Sequence, residues 1–255
     1  MKSEVNNAEV VGGVMMAGKE IVRFRIDGME VEAEKGKMLL SVALEYGFEI
    51  PHLCYHESIS PGGRCGLCVV EVTKEGSTKM TMSCKYPIDE GVEVASDTEK
   101  VRQTRRRAWE VLLARAYGSE VIHRMARAAG VEETSLEKND DECILCGLCE
   151  RVCREVVGAN ALTIARKDEK REVVPNPEAC IACGACVYIC PTDCIRMEEN
   201  ADERTIVRWN RTVKMQQCKS CGRPFAPVLQ LQWIISRAHL PKESYDLCPV
   251  CRVKS

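Results

Sequence analysis

Between Cys143 and Cys190 the chain writes one cysteine pattern twice. The first copy is C-I-L-C-G-L-C-E-R-V-C, with Cys143, Cys146, Cys149 and Cys153. The second is C-I-A-C-G-A-C-V-Y-I-C-P, with Cys180, Cys183, Cys186 and Cys190 before Pro191. Each copy is C-x2-C-x2-C-x3-C. Three thiolates at that spacing wrap a short loop around one cubane, and the fourth lies on the next helical turn, within reach of the neighbouring cluster. The pattern predicts one [4Fe–4S] cluster on Cys143, Cys146, Cys149 and Cys190, and another on Cys180, Cys183, Cys186 and Cys153. Gly147 and Gly184 supply the permissive backbone such loops need. Disulfides or zinc knuckles are poorer accounts of a doubled run.

A chain of 255 residues is longer than one average domain, so two or three small modules are expected. Aromatic residues are only 5% of the chain, while cysteines number 17, so metal is expected to supply part of the stability that a large apolar core would otherwise give. Those cysteines fall in metal-ligand groupings, which favours a reducing compartment over a disulfide scaffold. A net charge of −2 gives no argument for nucleic-acid binding. Residues 10–17 are weakly apolar, but Gly12 and Gly13 interrupt them and Glu4 and Glu9 precede them, unlike a secretion signal. No apolar run approaches the length of a membrane span. A soluble cytoplasmic protein is expected, with residues 1–19 a mobile tail.

From residue 20 the pattern sharpens. Val22, Phe24 and Ile26 alternate with polar neighbours, and Asp27-Gly28 is a hairpin turn signal leading to a second strand over 29–33. A helical run follows from Met38 to near Gly47. Strand, strand, helix and cysteine loop is the order of a small β-grasp ferredoxin. Cys54, Cys65, Cys68 and Cys84 then form C-x10-C-x2-C-x15-C, suited to a [2Fe–2S] rhomb with two ligands per iron. Pro61, Gly62, Gly63 and Gly66 let that loop fold over the cluster with its N–H groups towards sulfur. His52 and His56 flank Cys54, but four cysteines already complete the set.

The words I-P-H-L-C-Y-H-E-S, G-R-C-G-L-C-V-V-E-V and S-C-K-Y-P resemble the N-terminal [2Fe–2S] domain of the large iron–sulfur subunit of respiratory NADH dehydrogenase, complex I. The same domain occurs in NAD-linked hydrogenases, electron-bifurcating ones included, and in NAD-linked formate dehydrogenases. With the two-cubane segment, the resemblance covers roughly residues 20–200. It implies an iron–sulfur electron-transfer subunit with no substrate site of its own. Its partners would be a flavin-containing NAD(P)H-binding subunit and a hydrogenase or formate dehydrogenase catalytic subunit, with soluble ferredoxin a further candidate. The absence of a hydrogen-activating cluster domain points to a separate [NiFe] hydrogenase. A free polyferredoxin carrier is the alternative.

The resemblance fails in one place. Residues 97–129 read as the longest helical stretch, with Ser96 or Asp97 as cap, a break near Gly118 and a basic face of Arg102, Arg105, Arg106 and Arg107. In the relatives an H-x3-C-x2-C-x5-C site follows and holds another [4Fe–4S]. Here His123 is followed by no cysteine until Cys143. Either the two modules pack closer than in the relatives, or the [2Fe–2S] cluster relays to a partner. Residues 132–142 read as an acidic linker, and a β-hairpin around 167–170 separates the two cysteine copies.

Two C-x2-C knuckles close the chain, Cys218/Cys221 and Cys248/Cys251. Four thiolates make a tetrahedral site for zinc, or for a single iron as in rubredoxin, which these knuckles resemble. Arg252 directly after Cys251 and a helical stretch over 228–238 favour structural zinc. Sixteen of the 17 cysteines are thereby assigned, with Cys194 left as a buried thiol. The expected fold is α+β. A [2Fe–2S] β-grasp domain at 20–96 is followed by a helical linker at 97–139, a two-[4Fe–4S] ferredoxin domain at 140–210 and a zinc-ribbon-like module at 211–255.

Overall fold

The computed structural model describes residues 20–167 and 170–253; the tail expected over 1–19 lies outside them. Strand β1 (Ile21–Ile26) buries Val22, Phe24 and Ile26 and exposes the residues between, as its alternation requires. It turns through Asp27 and Gly28, both at positive φ, into the antiparallel β2 (Met29–Glu34). That pair of left-handed residues is what a two-residue hairpin needs to match strand twist. Helix α1 (Leu39–Glu45) then crosses the sheet completed by β3 (Val69–Lys74), β4 (Ser77–Met82) and β5 (Glu93–Ala95), in the order β2-β1-β5-β3-β4. Only β1 and β5 run parallel. Leu39, Leu40, Val42 and Ala43 of α1 pack on Val22, Phe24, Ile26, Val70 and Val72 to form the first core.

Helices α2 (Glu99–Arg115) and α3 (Glu120–Ala128) come next. The expected break at Gly118 is there, but the N-cap of α2 is Thr98, whose side chain accepts from the Val101 amide. Ser96 is already committed: its amide and hydroxyl both donate to Asp27. Arg105 also departs from the basic face read in the sequence. It turns inward and donates to the carbonyls of Leu67 (3.0 Å) and Val69 (2.9 Å), latching α2 onto the cysteine loop. The acidic stretch after α3 is a strap along the helices: Asn139 N–H donates to Ala114 O at 2.7 Å, and Tyr117 N–H to Asn139 O at 2.9 Å.

The strap delivers the chain to the first cysteine repeat and α4 (Leu148–Arg151), which continues as one π-helical turn, Val152–Val157. Strands β6 (Leu162–Lys167) and β7 (Lys170–Pro175) form the expected hairpin. The second repeat carries α5 (Ala185–Tyr188). A second sheet, unread in the sequence, joins the dicluster segment to the C-terminal knuckles. Its strands β8 (Met197–Glu199), β9 (Glu203–Ile206), β10 (Arg211–Gln217) and β11 (Pro224–Pro227) lie in the order β11-β10-β9-β8. Helix α6 (Val228–Ala238), with the bounds its sequence pattern implied, and the short α7 (Pro249–Arg252) end the described chain. Among the described residues no helix is long and apolar enough to cross a membrane.

Candidate metal centres

The four cysteines of the first module come together as two pairs. Cys54 and Cys65 have their sulfurs 3.5 Å apart, and Cys68 and Cys84 share a hydrogen bond. All four are buried. The hydrogen bond from Cys65 draws the Cys54 thiol down to about 5, and the same bond pushes Cys65 up. The Cys84 bond likewise draws Cys68 to about 7 and raises Cys84. Each pair thus holds one sulfur ready as thiolate, the form that binds iron. Arg64 N–H (3.2 Å) and Cys65 N–H (3.4 Å) both point at the Cys54 sulfur. Two thiol pairs ringed by N–H donors fit a [2Fe–2S] group, two ligands to each iron. His52 turns away; its Nδ1 lies 2.8 Å from Ile50 O.

The two later sets interleave between the repeats. Cys153, from the first repeat, lies with Cys180, Cys183 and Cys186 of the second around a small apolar cavity of about 20 Å³ roofed by Leu162 and Ile206. Its sulfur accepts from Ala161 N–H at 3.3 Å, and that of Cys186 from Trp209 Nε1 at 3.4 Å. Cys190, from the second repeat, is instead an electrostatic neighbour of Cys146 and Cys149. Desolvation pushes Cys146 and Cys186 each up to about 12 as thiols. Four cysteines around an apolar cavity fit a cubane. The loops match residue for residue: Leu145 and Ala182 both sit at positive φ, followed by Gly147 and Gly184 in the same region. A left-handed non-glycine residue costs about 1–3 kcal/mol unless its surroundings impose it, and here both loops impose it at the same place.

Cys194 is buried beside the first of these sets. Its sulfur is 3.6 Å from that of Cys190, and its hydrogen bond to Cys143 lowers the Cys143 thiol. At the far end, Cys218, Cys221, Cys248 and Cys251 have all four sulfurs within 4.8 Å of one another. The Cys221 and Cys248 sulfurs are 3.9 Å apart, close to the edge of about 3.8 Å in a tetrahedron with metal–sulfur bonds of about 2.3 Å. The Cys248 amide, at 3.3 Å, heads the backbone donors that draw Cys218 down to about 6.

Some contributing residues escape a sequence reading. The loop around Cys54 and the first repeat share one core containing Leu53, Cys54, Cys65, Leu67, Cys146 and Leu148, closed by Trp109 and Leu112 of α2. Across that seam Ser60 donates through N–H and hydroxyl to Glu155, both at 2.7 Å, and Arg64 pairs with Glu150 at 3.3 Å. Arg151 is buried in it. The two modules therefore pack directly against each other. His123, where the relatives' extra site would begin, has its Nε2 2.8 Å from Tyr117 O. The repeats put Arg151 and Tyr188 at equivalent positions, yet Arg151 is 4% exposed and Tyr188 80%.

Comparisons with known proteins agree with this geometry. Residues 19–99 match the family described as a 2Fe-2S iron-sulfur cluster binding domain, and residues 142–194 a 4Fe-4S dicluster domain. The chain is 29% identical over 177 residues to the NADPH-Fe(3+) oxidoreductase subunit alpha of Geobacter sulfurreducens, covering 58% of this chain and 20% of that protein. It is 29% identical over 178 residues to the NADH-ubiquinone oxidoreductase 75 kDa subunit of Reclinomonas americana, covering 60% and 26%. Over 93 residues it is 37% identical to an NADH-quinone oxidoreductase subunit of Rickettsia felis, covering 36% and 14%. A crystal structure of an NAD+-reducing [NiFe]-hydrogenase in the H2-reduced state superposes with a TM-score of 0.53 and 26% identity, covering 61% of this chain and 75% of that one. The chain thus carries one [2Fe–2S] domain and one two-cluster [4Fe–4S] domain, and spans about a quarter or less of the curated relatives it matches.

Proposed function

We propose that this chain is the iron–sulfur electron-transfer subunit of an NAD(P)-linked multisubunit oxidoreductase of hydrogenase/diaphorase type. It would relay single electrons between a flavin subunit and a separate catalytic subunit. The observation that carries the reading is the shared core in which Cys54 and Cys65 lie against Cys146. The ligands are taken as Cys54, Cys65, Cys68 and Cys84 for the [2Fe–2S] cluster. Cys143, Cys146, Cys149 and Cys190 hold the first [4Fe–4S], and Cys153, Cys180, Cys183 and Cys186 the second. Bound there, these clusters supply one-electron chemistry. The chain's own residues hold the sulfurs, donate N–H bonds to them and keep water from the apolar cavity.

The C-terminal tetrathiolate is assigned to structural zinc. A closed four-cysteine zinc site has no electron to give, so its role is to fold the tail. Relatives named as oxidoreductase subunits support a partner-bound protein. On gel filtration the native protein is expected in a large complex with flavin, oxidising hydrogen. Formate-dependent dye reduction by that complex would favour a formate dehydrogenase instead, and elution as a lone chain a free carrier. Metal analysis should give about ten irons per chain, from one [2Fe–2S] and two [4Fe–4S] groups, with one zinc. Cys65→Ala should abolish the [2Fe–2S] EPR signal and spare both [4Fe–4S] signals.

A further inference from the structure

Arg151 presents a buried cation with no anion to match. Its guanidinium donates to four backbone carbonyls: Cys54 O at 2.8 Å, Cys146 O at 3.2 Å, Gly147 O at 3.2 Å, and Ser60 O. Carbonyls satisfy the N–H groups but leave the charge uncancelled, and a buried charge without a counter-charge is costly. The nearby carboxylates are taken. Glu150 receives Arg64 and the Ile164 amide, while Glu155 receives Ser60 and Arg154. Among the described residues no carboxylate pairs with Arg151.

Two of those carbonyls belong to cysteines of two different sets, Cys54 and Cys146. A cluster held by four thiolates is an anion in either redox state. We infer that Arg151 is the shared counter-ion of the [2Fe–2S] and first [4Fe–4S] clusters, and the residue that positions their two loops for direct electron exchange. This rests on the ligand sets proposed above. The loops are shaped around it reciprocally. A Cβ on Gly62 would stand 2.6 Å from Arg151 Nη2, and one on Gly147 would collide with Arg64, so each loop omits a side chain where the other's arginine enters. Arg64 has a carboxylate partner, Glu150; Arg151 has none.

Reduction adds negative charge, so a fixed cation facing both clusters raises both potentials. When an electron leaves one cluster and reduces the other, it stays within the field of the same guanidinium. The exchange balances as one oxidation and one reduction, with no bond or proton moved.

The test is an EPR-monitored redox titration of the cluster-loaded full chain. Arg151→Gln should lower the midpoints of the [2Fe–2S] and first [4Fe–4S] clusters, each shifting its reduction equilibrium about tenfold, which is about 59 mV for one electron. Arg151→Lys should recover most of that shift, and the second [4Fe–4S] should move least. Arg23→Gln, at an exposed position of β1 paired with Glu32, should move none. Midpoints unchanged in Arg151→Gln, or all three shifted equally, would overturn the inference. If Arg151→Gln takes up no iron, Arg151→Lys and the wild type decide. The reduced wild-type clusters should show spin–spin interaction that Arg151→Lys retains, and non-interacting signals in the wild type would refute the junction. Failure of the underlying assignment looks different: Cys54→Ser and Cys146→Ser would then both leave the iron content unchanged.

Discussion

Arg105 shows how far a single side chain can stray from its pattern. In sequence it belongs to a run of four arginines on α2 and reads as part of one charged face. In the fold Arg102 pairs with Asp97 and Glu99, and Arg106 lies 3.7 Å from Glu110. Arg105 alone is drawn under the cysteine loop, where burial lowers its affinity for the proton. Arg105→Ala would leave the Leu67 and Val69 carbonyls without that donor, at a cost of about 1–3 kcal/mol. Both residues flank Cys68, so the expected outcome is earlier loss of the [2Fe–2S] signal on guanidinium titration, with the [4Fe–4S] signals unmoved. The cysteines proposed as ligands were readable because iron demands fixed spacing. Arg105 and Arg151 were not, because their partners are backbone carbonyls, which leave no mark in a sequence.

At the scale of elements, periodicity carried the long pieces and failed on the short ones. β1 alternates over six residues and α6 shows helical spacing over eleven. β8 and β9 have three and four residues, too few to alternate against noise, and β8 is mostly polar. The consequence of missing that sheet is to mistake the tail for an appendage. β10 runs straight into Cys218, and α6 returns to the π-helical turn that bears Cys153. There Trp233 Nε1 donates to Val157 O at 3.0 Å and Arg237 to Gly158 O at 3.3 Å, with the guanidinium stacked on the Trp233 ring. Carbonyls at the end of a helical turn need such partners. Trp233→Phe removes one donor, worth about 1 kcal/mol, and should speed iron loss from the second [4Fe–4S] in air while sparing the [2Fe–2S]. Replacing Cys221 and Cys251 by serine, which removes two of the four thiolates, should do the same, more strongly. Equal loss from all clusters in either experiment would show that the tail does not act locally.

Across the whole molecule, the seam between the modules is polar at its rim. Glu155, held by the Ser60 hydroxyl and amide, has its carboxyl lowered to about 2. A carboxyl that titrates lower in the folded chain than in the unfolded one stabilises the fold fully above the ordinary glutamate range. That contribution disappears as pH falls from about 4.5 towards 2. The wild type should therefore melt higher than Glu155→Gln at pH 7, with the gap narrowing below about pH 4.5 and closing only towards pH 2. A constant gap would mean the contact is not ionic. Close packing of the modules, one of two arrangements open to the sequence, is the one the fold adopts. The strap over 131–142 and the shared core bring the modules together.

The proposed exchange of Cys153 and Cys190 between repeats would also constrain the order of biosynthesis. As residues leave the ribosome, the first repeat emerges with three of its sulfurs facing a fourth not yet made. On the proposed ligand sets the second cubane cannot close until translation has passed Cys186, nor the first until it has passed Cys190, and the turn that aims Cys153 is not capped until α6 emerges. Maturation factors that deliver iron and sulfide would therefore act after the second repeat has emerged, and a chain truncated before the tail should emerge as a poor recipient.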